Sequence, residues 1–533
     1  MKIKHLLISL TAIATVTPAF AATYYVTPEG AGTKDGSSWE NALGVEELQT
    51  KVTTNKTGDT YNFAGGKYNF NKTLLVSYKT AANLIGAETG ERTVFSGDVN
   101  GDGVASEGDL SCIVRIQTQT SAASSPQQPA LIKNIDFTCA YTASEANSDG
   151  QHEVNGVTGP GALFVDNSYN VTVENCNFYG NKATGLLGGA AIHLRRSFVT
   201  FNHCNIHDNS GISRGGAVRL RSDNATKGIT TFYDCAFYNN TLSKTDVEDS
   251  GRNGGAIYLA QGKQLNIINC TLTNNESDTW GSAIYTNGAG DTFSPVLNII
   301  NSTIAGNKTV SGGAQISTTQ TASIKLANTI IASKYETTDA IAFNGETESP
   351  KFSFETGGYN FISGIRDLAT SPAKDLGWKD TDKQGAEYNY AAIFGSNALT
   401  AEGVIKPNTF FAGATGEEVT AAVTSWGLPA GLDLTTDQLG NERIGQVTPG
   451  AYAVSKDNIT TNIITSIADD SNARLVNLGA GVYAIEGVEG VVTVYNINGA
   501  TVMTSPASSI DLGAMPAGLY IVKAQDTIFK VMR

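Results

Sequence analysis

The chain has 533 residues, long enough for more than one folded unit, and combines 57 glycines with only 16% charged residues, as a protein built from many tight turns would. Its net charge of -14 argues against nucleic-acid binding, which rests on lysines and arginines neutralising phosphates, and is equally unfavourable for an anionic membrane surface. No apolar run beyond the first twenty or so residues reaches helical membrane-spanning length, so the chain is not expected to span a membrane as a helix.

The first residues read as a leader. Lys2 and Lys4 precede an apolar stretch from Leu6 to Val16, and Ala19-Phe20-Ala21 is a small-residue cleavage site, placing the mature start at Ala22 and the mature chain outside the cytoplasm. Tyr24-Tyr25-Val26 is then a strand, Gly30 to Trp39 a polar turn, and Ser38 a cap for a short helix over Trp39 to Thr50. Ala42, Leu43, Val45 and Leu48 fall on roughly one face of that helix, suited to covering the open end of a stacked sheet. Strand pieces are expected at Thr60 to Phe63, Leu74 to Ser77, Asn83 to Ile85 and Thr93 to Ser96.

Next comes Asp98-Val-Asn100-Gly-Asp102-Gly103-Val104-Ala-Ser106-Glu-Gly-Asp109. Oxygen-bearing groups at places 1, 3, 5, 7, 9 and 12, with Gly at 6, match a calcium loop, in which hard oxygens surround a hard cation. The candidate ligands are Asp98, Asn100, Asp102, Val104, Ser106 and Asp109, and a structural Ca2+ is the implied cofactor. The loop resembles that of dockerin modules, with two departures: place 12 is Asp109 instead of a bidentate Glu, and no second copy follows. An Asp/Asn/Gly-rich turn projecting from the fold is the other reading. Ile113-Val-Arg-Ile116 behind it reads as strand.

From residue 160 to 335 a phrase returns five times. It begins Cys176-Asn-Phe178-Tyr-Gly-Asn181 and recurs at Cys204, Cys235, Cys270 and Ser302, with intervals of 28, 31, 35 and 32 residues. Each copy is followed by a small-residue signal such as Gly188-Gly189-Ala190 or Gly254-Gly255-Ala256. A repeat of about 20 to 50 residues signals a solenoid or propeller. Between copies lie short runs with apolar residues at every second place, Ala217 to Arg221 and Ala256 to Ala260 among them, which are strands. Coils of two or three strands stacked at about 4.8 Å make a right-handed parallel β-helix. Asn at the fifth place after Cys is expected to take left-handed turn geometry and form an amide ladder, and Phe, Ile or Leu two places after Cys to fill the bore. Cys176, Cys204, Cys235 and Cys270 share one register and read as a buried column of small apolar thiols; a disulfide between neighbouring coils is the alternative. Cys112 and Cys139 fall outside the register. The spacing Phe-x-x-Asn followed by Gly-Gly-Ala-Ile resembles the repeat of the polymorphic outer membrane proteins, which implies a surface-exposed bacterial β-helix.

On the strand after Gly-Gly-Ala, the outward places align His193, Arg219, Tyr258 and Tyr285 in one column and Arg195 and Arg221 in the next. Arg195, Arg219 and Arg221 form a positive patch able to receive an anionic sugar, Tyr258 and Tyr285 are candidates for stacking on sugar faces, and His193, Arg219 and Arg221 are the candidates for lyase chemistry. The competing reading is a solvated strand face. No Ser-His-Asp set, no metal-spaced His pair and no stacked Asp pair for glycoside hydrolysis is found in the coils.

After residue 335 the repeat decays, with Asn328, Ile330 and Ser333 as a worn last copy. Gly357 to Ile362, Ala398-Leu399, and Asp437-Gln438-Leu-Gly440-Asn-Glu-Arg443 to Gly450-Ala451-Tyr452 are similar to the closing segment of exported β-helix proteins called choice-of-anchor Q. That resemblance implies a structural clasp in which Arg443 ties a carboxylate or carbonyl. From 459 the chain turns to short alternating strands, Leu475 to Leu478, Val482 to Ile485, Val491 to Tyr495, Ile510 to Leu512 and Leu519 to Val522, as in a small β-sandwich. Val494 to Gly499, Ile510 to Val522 and the terminal Lys530-Val-Met-Arg533 resemble the type IX secretion sorting domain of Bacteroidetes, which implies export across the outer membrane followed by attachment or release.

The sequence therefore predicts an all-β protein: a leader over 1–21, a right-handed parallel β-helix with an N-terminal helical cap over 22–455, and a sorting or anchoring β-sandwich over 459–533. The expected function is a secreted or cell-surface, adhesin-like or glycan-binding protein without catalysis, whose partner is an extracellular glycan or a surface protein. A polysaccharide lyase or glycoside hydrolase acting on acidic glycans, and a structural surface component, are the alternatives.

Overall fold

The computed structural model describes residues 21–54, 58–77, 81–117, 129–143, 153–154, 157–158, 160–168, 170–185, 187–221, 228–243, 253–260, 262–288, 294–319, 321–336, 338–343, 353–366, 376–445, 447–455, 466–467, 474–479, 481–488, 490–496, 500–516, 518–524 and 527–533. The leader over residues 1–20 lies outside them. Among the described residues the coils build three long parallel sheets and a short one: one of 11 strands from Thr23–Val26 to Ser353–Gly358, one of 10 from Leu74–Ser77 to Ile365–Arg366, one of 11 from Gly66–Asn69 to Lys383–Gln384, and the short one of 6 from Tyr141–Thr142 to Lys308–Thr309. Each strand hydrogen-bonds its equivalent in the next coil, in register, which makes a parallel β-helix.

The inward residues fill a continuous dry bore. Phe137, Phe178, Ile206, Phe237, Leu272, Ile304 and Ile331 stack coil upon coil and are all fully buried, with Phe137 and Phe178 lying parallel at 4.7 Å. The thiols of Cys176, Cys204, Cys235 and Cys270 are free and buried in one column, where the sulfurs of Cys235 and Cys270 and the Ser302 hydroxyl each accept from the main-chain N–H of the equivalent residue in the coil before. Cys112 and Cys139 are also free and buried.

The amide ladder forms as expected: the Nδ2 of Asn181, Asn209, Asn240 and Asn275 donates to Oδ1 of the next Asn at 2.8–3.0 Å, ending on Asn307, whose own Nδ2 donates to Gln315 at 2.9 Å. Its backbone geometry differs from expectation. The left-handed residues are the ones just before the ladder, Gly180, Asp208, Asn239, Asn274 and Gly306, and those just before the Cys, or Ser302 in its place, among them Asn175, His203, Asp234, Asn269 and Asn301. Each ladder Asn spends both ends of its side chain on neighbours, so the preceding residue must make the bend.

The N-terminal end is closed by a helix shorter and later than predicted. Trp39–Asn41 is one 3-10 turn, and the α-helix α1 runs over Val45–Thr53. Leu43 exchanges main-chain hydrogen bonds with Tyr25 and Thr27 of the first strand, which takes its backbone out of helical pairing. Ser38 makes no capping bond; Glu47 instead reaches back to the Gly44 N–H at 3.1 Å. Leu48 and Val52 of α1, with Leu43, still bury against the first coils, so the apolar positions keep their role while the helical phase changes.

At the other end, residues 376–455 carry two short helices, α2 (Tyr390–Phe394) and α3 (Gly416–Val423), and lie against the outside of the last coils. Asp437 is wholly buried and accepts from the N–H groups of Leu439, Asn441 and Ala453. Arg443 donates to the carbonyls of Thr436 and Gly450, the carbonyl tie that the clasp predicts. Gln438 and Ala451 bond to Thr271 and Thr303 of the coils. Among the described residues of 466–533, antiparallel sheets of five and three strands surround a separate core including Tyr483, Ile485, Val492, Val494, Ile510, Val522 and Phe529, a small β-sandwich whose strands include four of the predicted runs whole and Ile510–Asp511 of the fifth.

Candidate functional site

The acidic loop folds back on itself at the coil surface. Asp98, Asp102 and Asp109 each bring one carboxylate oxygen within 4.8 Å of the others. Asn100 Nδ2 donates to Ser106 Oγ, which in turn donates to Asp102 Oδ2, both at 2.7 Å, so three of the predicted ligand side chains are joined directly. Asp98 accepts from the N–H of Gly103, the glycine at place 6, and Asp109 from those of Val99 and Ser106. The Val104 side chain is exposed, and only its carbonyl belongs to the ligand pattern. These oxygens fit a hard cation: Asp98, Asn100, Asp102, Ser106 and Asp109 would hold it, together with the Val104 carbonyl, and the ion would supply charge neutralisation to a loop that otherwise relies on hydrogen bonds.

One neighbour was not foreseen. Lys67, on the strand Gly66–Asn69, places Nζ 2.9 Å from Asp98 Oδ2. This ammonium hydrogen-bonded to Asp98 holds the carboxyl below its ordinary value. Nothing in the sequence marks the pair, 31 residues apart; stacking of adjacent coils brings them together.

The predicted outward column exists in register. His193 pairs with Arg219, Arg219 with Tyr258, and Tyr258 with Tyr285, while Arg195 pairs with Arg221. It extends further toward the N-terminus through Phe164 and Arg115. Arg115 could have been found by carrying the outward register back into Val114–Gln117. The column is not, however, a solvated strand face. His193 is 1% exposed, Tyr258 5% and Arg219 8%. The chain at Leu187 crosses over it, and the Leu187 carbonyl accepts from the Arg219 guanidinium. Phe164 meets the His193 ring edge to face, and the Arg115 guanidinium lies 5.2 Å from the Phe164 ring. Burial pushes the His193 imidazole well below its ordinary value, with Arg219 and Arg221 adding to the effect, so it is neutral. Arg195 keeps partial exposure and lies 3.7 Å from Asp166, which also takes Arg196 at 3.1 Å. Tyr258 and Tyr285 are tilted against each other at 5.5 Å. The first column packs beneath its cover with His193 out of contact with solvent, while Arg195 and Arg221 of the second column are half-buried.

Residues 152–334 match a family model described as right handed beta helix region. That assignment covers the repeat itself and agrees with the stacked coils. No curated protein matches the chain. Among solved structures it is similar to pectate lyase Pel9A (13% identity over 69% of this chain and 86% of that one, TM-score 0.33). It is also similar to a glycoside hydrolase (11%, 69% and 100%, TM-score 0.37) and to PfbA, a surface adhesin of Streptococcus pneumoniae (11%, 66% and 90%, TM-score 0.31). The activities in those names stay with those proteins.

Proposed function

We propose that the protein is a secreted or cell-surface β-helix, adhesin-like and glycan-binding, without catalysis, carrying a C-terminal sorting sandwich and a structural calcium loop. The observation that carries the non-catalytic part is the burial of His193 and Arg219: a base or a cation that neutralises a sugar carboxylate must touch substrate, and these side chains lie beneath other parts of the chain. The export reading is supported by the leader and by the C-terminal motifs, and the calcium reading by the convergence of Asp98, Asp102 and Asp109.

The test combines an array of neutral and acidic polysaccharides with absorbance at the unsaturated-uronate wavelength, run on the wild type and on Arg219→Ala/Arg221→Ala. Binding without product is expected. Accumulating unsaturated product would overturn the non-catalytic reading, and silence on the whole array would overturn glycan binding. For calcium, titration calorimetry on protein stripped with a chelator should show one site, lost in Asp98→Ala/Asp102→Ala.

A further inference from the structure

The structure offers an open site away from the covered column. Where residues 333–336 of a late coil meet α2, a cleft of about 510 Å³ opens, within the span of about 300 to 1,000 Å³ that holds small ligands. Its floor is fixed: the Tyr390 N–H of α2 donates to the Ser333 carbonyl, and the Tyr390 hydroxyl to the Asn397 carbonyl. Its walls carry Lys334, Tyr335, Glu336 and Asp339.

The charged groups are held in unequal ways. Arg366 binds Asp339 through Nε at 2.8 Å and Nη2 at 2.7 Å, and both bonds fall on Oδ2. The guanidinium itself lies over the Trp280 ring at 5.0 Å. Asp339 is thereby oriented from behind, and among the described residues its Oδ1 has no hydrogen-bond partner. Lys334 rests its ammonium 5.1 Å from the Tyr390 ring centre. Glu336 is exposed, with no ion pair among the described residues.

We propose that this cleft binds the neutral sugar units of a glycan, a deepening that rests on the glycan-binding reading above. The charges in and behind the walls cancel, Lys334 against Glu336 and Arg366 against Asp339, so neither a polyanion nor a cation is favoured. A hydroxyl-rich ligand uses all of them: carboxylate oxygens accept from sugar hydroxyls, the Lys334 ammonium donates, and Tyr335 offers an aromatic surface to the C–H face of a sugar ring. Asp339 is the anchor because Arg366 and Trp280 position it before the ligand arrives.

Calorimetric titration of the full chain with cellohexaose, xylohexaose, mannohexaose and a galacturonic-acid hexamer tests the proposal. At least one neutral hexamer is expected to bind and the acidic one to bind more weakly, with a loss of tenfold or more in Asp339→Ala and in Glu336→Ala, each checked by its melting curve. Glu336 is exposed, so its variant leaves folding intact, and Tyr335→Ala, at a half-buried position beside it, should also lose several-fold. Neutral binding that is unchanged in all three variants, or binding of the acidic hexamer alone, overturns the cleft while leaving glycan binding standing. No binding of any hexamer by the wild type, together with a silent polysaccharide array, overturns both.

Discussion

Asp234 occupies a corner of the solenoid where a charge is badly placed. Burial raises its carboxyl to about 7, Asp437 contributes in the same direction, and the nearby Asn269 amide and the more distant Arg443 oppose it. His203, 3.6 Å away, is itself pushed down by burial and gives no compensating charge near neutrality. A raised carboxyl means that the folded state holds a proton which the unfolded chain has released, so stability falls as pH rises from about 4 to about 7 and is level above. Asp234→Asn should flatten that slope and be more stable than wild type by about 1 to 3 kcal/mol at pH 8 while matching it near pH 4, as thermal melts across pH would register. Lys67 is the second residue with a consequence. A positive charge 2.9 Å from a ligand carboxylate oxygen opposes a divalent cation at the same group, so Lys67→Met should bind calcium about tenfold more tightly by calorimetry.

Among the elements, the Asn ladder holds the coils in register. Asn240 accepts from Asn209 and donates to Asn275 and to the Ile206 carbonyl while fully buried. Asn240→Ala leaves several polar groups of adjacent coils without partners and should cost about 2 to 4 kcal/mol in denaturant unfolding. Asn240→Asp restores the acceptor but not the donor and places a charge in the bore wall, and it should be no better. The helix α1 has a different duty. Leu48 and Val52 close the first coil, so Leu48→Asp should expose the end of the sheet and show as concentration-dependent association in light scattering, with the remaining coils intact.

Across the whole molecule, the bore of the solenoid and the core of the C-terminal sandwich are separate clusters. A chain ending at residue 455 should therefore keep the β-helix circular-dichroism signature and lose only the sandwich transition in calorimetry. A single transition that disappears on truncation would show that the two cores depend on each other.

Much of this molecule was legible in its residues because a solenoid repeats one local rule. Period-2 patterning located the strands, the Cys and Phe places located the bore, and the spacing of oxygens from Asp98 to Asp109 located a loop whose carboxylates do converge. The register of His193, Arg219, Tyr258 and Tyr285 also followed from the repeat, since equal positions in equal coils must stack. What lay on top of that column did not follow. Its cover is chain outside the coil's strand pattern, at Leu187, and periodicity carries no information about where a connecting segment folds. The same holds for Lys67 against Asp98, for Arg443 against the Gly450 carbonyl, and for the cleft between residues 333–336 and α2. The sequence by itself determined the coil, its inward and outward faces and its ladders, because these depend on neighbours one repeat away. Only the tertiary structure decided which outward faces meet solvent, because that depends on contacts between segments that share no repeat.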